Sequence, residues 1–221
     1  DPRKELTGAI SALAVEGKYD EALTKAATLI KLTEVENGGN TSQHAEALSW
    51  AAYLHVVQGD VQGASTYFEK AVEIYGRVLP PDHPDLATSI NNLGYYRYRL
   101  GRYQEAEALY QQALDIRERV LKPNDPGIAD TLTNLGELYK ARERADEAIP
   151  LLNRALEIRS RSLKADDPAI AASLQNLAGA LELDPKGDKF AAAQKLLEKA
   201  LTIRQKVQRP EHPEVAGAIS K

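Results

Sequence analysis

Apolar side chains recur along this chain at helical spacing. Between Pro84 and Asp125, Leu86, Ile90, Leu93 and Leu100 stand three, four or seven residues apart, which places them on one face of a helix. A turn signal at Gly101 follows, and Ala106, Leu109, Ala113, Ile116 and Val120 then form a second stripe. The stretch predicts a helix hairpin. Sliding the chain against itself by 42 residues lays Gly136, Ala148 and Ala155 on Gly94, Ala106 and Ala113, and the same step back reaches Ala52, Ala64 and Ala71. "GKYDEA" (17–22), "GDVQGA" (59–64) and "GRYQEA" (101–106) are successive copies of one turn. The period organises the whole chain.

This repeat predicts one array over 1–221, with units of about 1–41, 42–83, 84–125, 126–167 and 168–212 and the start of a sixth at 213–221. The expected helices are 4–15 and 18–35, 43–58 and 60–78, 84–100 and 103–121, 126–142 and 145–163, and 168–183 and 189–207. "DHP", "NDP", "DDP" and "EHP" at the joints put Pro84, Pro126, Pro168 and Pro213 at first helical positions, where a missing N–H costs nothing. His83, Asp125, Asp167 and His212 then fall at N-caps. A glycine inside a helix costs about 1 kcal/mol against alanine, so Gly94 needs a reason. Close approach of the two helices of a hairpin at Gly94 and Ala106, and of the next repeat at Ala113, supplies one. Two irregularities remain: the fifth repeat is longer by three residues in the Asp184 to Lys189 turn, and Pro150 falls early in a second helix.

Composition narrows the function classes. With 28 Lys+Arg against 32 Asp+Glu, interspersed along the chain, no basic face is available for nucleic acid. No run of eighteen apolar residues exists, so no membrane insertion is expected. The absence of cysteine removes disulfides and thiolate chemistry but leaves the compartment open, with the cytoplasm weakly favoured. The absence of methionine and the interrupted sixth repeat read as a piece of a longer protein.

A helix hairpin with Leu93-Gly94, Ala106, Tyr110 and Ala113, repeated as Leu135-Gly136, Tyr139, Ala148 and Ala155, resembles the tetratricopeptide repeat. The usual unit is 34 residues long. The 42-residue unit here is similar to the longer-helix form of kinesin light chains and many bacterial repeat proteins. The resemblance implies an all-α, right-handed superhelical solenoid of tandem antiparallel hairpins. Ala9, Ile10 and Leu13 depart from the Leu, Gly and Tyr of the pattern, which marks the first hairpin as a cap or an eroded unit. Arg97 stands where the next repeat has Tyr139.

The resemblance further implies a groove lined by the first helices, with the residue before Leu-Gly pointing into it. That slot holds Trp50, Asn92, Asn134 and Asn176, and neighbouring groove positions are Tyr53, Tyr95, Tyr98, Arg99, Glu137 and Lys140. Three asparagines at one slot can each donate to and accept from an extended peptide backbone, and the aromatic residues offer an anchor site. Bonding between adjacent helices is the competing role for the asparagines. The expected function is a non-catalytic module that binds a protein or peptide partner, with no cofactor and no metal. The rival is a structural or regulatory segment packed on an effector domain of the same protein. Oligomeric state is not legible.

The remaining candidates for chemistry read as structural. His83 and His212 share a slot with Asp125 and Asp167, and His44 and His55 lack metal-ligand spacing. No nucleophile-elbow or phosphate-loop pattern occurs, so no catalytic residue is assigned. Arg117 and Arg119, Arg159 and Arg161, and Arg204 and Lys206 form a stripe, expected as a solvated face paired with nearby acids.

Overall fold

The helices of all five expected hairpins form, with their ends within two residues of those read from the pattern. A computed structural model describes residues 1–184 and 189–208, apart from the side chains of 36, 37 and 208. The first hairpin pairs α1 (Pro2–Val15) with α2 (Tyr19–Glu34), and the second pairs α3 (Ser42–Val57) with α4 (Val61–Val78). The third consists of α5 (Pro84–Arg99) and α6 (Tyr103–Val120), and the fourth of α7 (Pro126–Ala141) and α8 (Ala145–Ser162). The fifth pairs α9 (Pro168–Glu182) with α10 (Phe190–Gln208). A short 3₁₀ turn over Glu36–Gly39, which the pattern did not predict, joins α2 to α3. No strand occurs among the described residues. The expected sixth first helix and its His212 cap lie outside the described residues.

The chain divides into two compact units, Asp1–Lys122 and Pro123–Lys221. The first holds three hairpins and the second the other two.

The joints cap as their residues dictate. The carboxylates of Asp125 and Asp167 accept from the N–H of Gly127 and Ala169, each at 2.8 Å, and His83 Nδ1 accepts from Asp85 at 3.2 Å. Within hairpins the turn requires a left-handed residue at one repeat slot: Gly17, Gly59 and Gly101 have φ of 74°, 86° and 73°. The fourth hairpin puts Glu143 in that slot, at φ 57°. A side chain there is strained by about 1–2 kcal/mol. Because Glu143 is exposed, Glu143→Gly should raise the stability of the second unit. After the added freedom of glycine in the unfolded chain is subtracted, the gain is about 0.5–1 kcal/mol, measurable by urea denaturation.

Small residues permit close approach where the spacing placed them. A Cβ on Gly94 would lie 2.9 Å from the Tyr110 ring, and one on Gly136 would lie 2.7 Å from Leu152. Tyr110 and Leu152 occupy the same slot and are almost fully buried. Ala106 and Ala148 are fully buried as well. Ala71 and Ala113 share one apolar cluster with Leu86, Ala87 and Ile90 of α5, so in the first unit Ala71 sits in a core that includes the following hairpin. Pro150 lies inside α8 and the helix continues through it. In the longer fifth turn, Asp184 is buried and ion-paired with Lys189. Residues 185–188 of that turn lie outside the described residues.

The arginine stripe is corrected by the structure. Arg117 and Arg159 are buried, whereas Arg119 and Arg161 are exposed. Arg159 donates to Asp130 Oδ1 at 2.7 Å and Thr133 Oγ1 at 3.1 Å on α7, and to Ser173 Oγ at 2.6 Å on α9. It ties the first helices of two consecutive hairpins together. Arg117 in the first unit donates to Thr88 on α5 at 3.3 Å. Arg161 pairs with Glu157 one turn back, as a solvated face would. Two residues of separation on a helix rotate a side chain by about 200°, so alternate arginines cannot share a face.

Arg97 resolves in a similar way. It is buried on α5, where Glu69 of α4 and Glu105 of α6 both pair with it, the latter at 3.1 Å. In the next repeat Tyr139 fills the slot, and the Arg144 guanidinium lies over its ring at 4.4 Å. Both versions join the end of a first helix to the start of the second.

Candidate groove on the first helices

In the first unit, the expected groove positions cluster around an aromatic patch. Trp50 and Tyr53 stand one helical turn apart on α3, and their rings meet edge to face at 6.2 Å. Together with Ser11, Ala14 and Val15 of α1 they line an open cavity of about 370 Å³. Its walls are exposed apolar surface: Val15 is 88% and Tyr53 45% accessible. The cavity exists because the first repeat carries Ser11 in the slot that holds Tyr53 one repeat later. Ser11, Ala14 and Val15 were not among the expected site residues. Their only signal was the departure of the first repeat from the pattern at residues 9, 10 and 13.

The neighbouring helix α5 extends the patch. Tyr95 is half-buried, and its hydroxyl accepts from Arg99 Nη1 at 2.9 Å. The Tyr95 ring meets Tyr96 edge to face, and Tyr96 stacks on Phe68 at 5.0 Å. Asn92 is half-buried and makes no side-chain hydrogen bond among the described residues, which leaves its amide for solvent or a ligand. The Tyr98 ring lies 5.7 Å from Tyr103 at the α5–α6 turn.

In the second unit, the expected positions are polar and partly engaged with one another. Asn176 Nδ2 donates to Glu137 Oε1 at 2.7 Å, bridging α9 and α7. For Asn176, therefore, the structure shows the bond between adjacent helices. Asn134 also has an interaction of its own. The aliphatic stem of Lys140 lies over Gly179, 3.7 Å from where a Cβ would stand.

Burial and charge act on the aromatic core of the first unit. Burial pushes the Tyr96 phenol up to about 12, with the Tyr95 and Tyr53 phenols adding to the rise and Arg99 opposing it. Burial also pushes Tyr75 to about 12, helped by the charges of Asp85 and Glu46. Both groups hold their protons more tightly when folded than at the ordinary phenol value of 10.0. As pH rises past about 10 the unfolded chain ionises first and binds fewer protons, so stability falls until the folded phenols titrate near 12. The denaturation midpoint of the first unit should thus drop between about pH 10 and pH 12, and Tyr75→Phe with Tyr96→Phe should flatten that drop.

Two histidines are engaged within the fold of the first unit. His44 is buried, with Nδ1 2.9 Å from Thr33 Oγ1. His55 stacks on Tyr67 at 5.1 Å, and its Nδ1 lies 3.0 Å from Asp60 Oδ2. Among the described residues no cluster of three histidine, aspartate or glutamate side chains could hold a metal ion. No described helix is long and apolar enough to cross a membrane.

Comparison with known proteins agrees with this architecture. Two family models, each described as tetratricopeptide repeat, match residues 43–119 with 127–184 and residues 7–77. No curated protein matches the sequence. Among solved structures, a Podosopora anserina kinesin light chain candidate built of nearly identical TPR-like repeats is 24% identical, with a TM-score of 0.77 over 95% of this chain and 99% of that one. BtubC (BKLC) of P. vanneervenii is 22% identical, with a TM-score of 0.80 over 92% of this chain and 80% of that one. The MamA protein is 20% identical, with a TM-score of 0.62 over 95% of this chain and 96% of that one. With its 42-residue hairpins, its Leu-Gly and alanine contacts and family matches over more than half its length, the chain belongs to the tetratricopeptide repeat family.

Proposed function

We propose that the protein is a non-catalytic interaction module that binds an extended peptide segment of a partner protein along its first helices. Repeats of this family generally mediate protein–protein interaction. The observation that carries the finer reading is the exposed apolar cavity at Trp50 and Tyr53. An exposed apolar cluster of this kind suits one apolar or aromatic anchor side chain of a ligand. Asn92 can donate to and accept from the ligand's backbone, and Arg99 favours a carboxylate beside the anchor. The first helices of the second unit carry a polar set of their own, Asn134, Glu137, Lys140 and Asn176, where Asn176 would exchange its bond to Glu137 for one to a ligand.

Trp50 is the chain's one tryptophan, so its fluorescence reports directly on the cavity. Peptides selected from a displayed library against the whole chain should shift Trp50 emission on titration, with dissociation constants in the micromolar range. Trp50→Ala should weaken them at least about tenfold, the usual loss for an aromatic anchor. Asn92→Ala should weaken them roughly three- to tenfold, from one lost hydrogen bond of about 0.5–1.5 kcal/mol. Selected binders that leave Trp50 emission and the Trp50→Ala affinity unchanged would refute the groove reading.

A further inference from the structure

Two open clefts on the second-helix face are built from the same repeat slots. In the first unit, a cleft of about 530 Å³ lies between α2 and α4, above α3. In the second unit, one of about 450 Å³ lies between α8 and α10, above α9. Ile30 and Leu48 of the first cleft correspond to Leu156 and Leu174 of the second, each 126 residues on, which is three repeats. Tyr67 and Ile74 correspond to Leu196 and Ile203, 129 residues on, because the longer fifth turn adds three. These four positions are thus apolar in both clefts, while His44 and Glu34 of the first stand where the second has Ile170 and Ser160. A lysine recurs on the rim by the same rule, Lys70 in one and Lys199 in the other, while the intervening repeats have Gln112 and Arg154 there.

Each rim carries a small excess of positive charge. The first cleft carries Lys31, Lys70 and Arg77 with Glu34 and Glu73. Arg77 is committed to Glu73 and Asn40, which leaves two lysines against Glu34. Lys199 is the charged group of the second cleft. Neither Lys70 nor Lys199 has an ion-pair partner among the described residues. Each cleft therefore holds one excess positive charge, on a chain whose formal net charge is −4.

We infer that each of these clefts, on the second helices of its own unit, is a docking site for an acidic amphipathic helix of a partner protein. An apolar floor between two helical walls accepts a ridge of aliphatic side chains, the arrangement in which an amphipathic helix lies in a groove. Carboxylates flanking that ridge meet Lys70 or Lys199. The floor supplies the affinity, and the lysines select an acidic partner over a basic one.

The test uses the whole chain and two synthetic amphipathic helices with one leucine face, flanked by glutamates in the first and by lysines in the second. Fluorescence anisotropy should show the glutamate peptide binding in the micromolar range and the lysine peptide at least about tenfold more weakly. The variant carrying Lys70→Glu and Lys199→Glu, both surface substitutions, should reverse that preference while its circular dichroism and melting temperature stay those of the parent. Trp50→Ala should leave the preference as it was. Absence of binding by both peptides, or an unchanged preference in the double variant, overturns the inference. Loss of binding in Trp50→Ala also overturns it, since the peptide would then lie in the first-helix groove and the proposed function would stand.

Discussion

Gly136→Val should cost the second unit about 3 kcal/mol, whereas Gly179→Ala in the next first helix should be neutral or slightly stabilising. Both glycines are helical and follow closely on an asparagine of the shared slot, so sequence position alone gives little ground for the contrast. A Cβ on Gly136 would stand 2.7 Å from Leu152, which is itself locked in the core, and valine adds two methyl groups beyond that. The helices must move apart or Leu152 must leave its rotamer, an overpacking cost of typically 1–3 kcal/mol. Branching at Cβ adds to it in a helix already crowded at that turn. At Gly179 the nearest atom is the flexible Lys140 stem at 3.7 Å, ordinary contact distance. There the helix propensity of alanine can outweigh any adjustment. Chemical denaturation of the two variants decides the matter: equal midpoints would mean that Gly136 does not mark a close crossing.

Arg159→Ala should cost about 2–3 kcal/mol and Arg161→Ala less than about 0.5 kcal/mol. The two arginines belong to the same "IRSRS" segment and differ only in phase. Arg159 makes three side-chain bonds to two neighbouring first helices, and its removal leaves Ser173 and Thr133 without their charged donor. Asp130 stays largely solvated, with 58% of its side chain accessible, so no stranded buried charge adds to the loss. Arg161 and Glu157 are both more than half exposed, and such a pair contributes little. Arg159→Lys is the informative intermediate. An ammonium keeps the charge but cannot span three acceptors in the fork geometry of a guanidinium, so about half of the stability loss should remain. A loss as large at Arg161 as at Arg159 would contradict the assignment of the buried tie.

Helix positions and hairpin boundaries were written in local pattern. The spacing of Leu86, Ile90 and Leu93, the Pro and Asp of each joint, and glycine at 17, 59 and 101 each act within a turn or two of the chain, and a repeat states them several times over. Glu143 shows the strength of that agreement, since the turn forms at φ 57° even where the chemistry suits it poorly. Close helix approach was legible too, because a glycine recurring at one helical slot costs stability unless a neighbouring side chain fills the space it leaves.

Partnership between repeats was decided by tertiary structure. Arg159 and Arg161 look alike in sequence because charge says nothing about which face of a helix is covered; the covering surface comes from α7 and α9, on either side of α8 in the chain. Arg97 sits in an aromatic slot, yet two glutamates from separate helices make burial of its charge acceptable. The three asparagines of one slot part company for the same reason. Asn176 meets Glu137, whereas the slot equivalent to Glu137 is Tyr53 two repeats earlier, so Asn92 has no matching carboxylate and makes no such bond. The cavity at Trp50 is lined by Ser11 and Ala14 where the next repeat has the larger Tyr53 and Val56, and the second-helix clefts depend on three helices at once. A repeating sequence determines each helix and its hairpin because those contacts are near in the chain. Which polar groups meet, and where space remains, depends on side chains 26 to 39 residues apart, as in Arg159 with Thr133 and Asn176 with Glu137, and only packing brings those together.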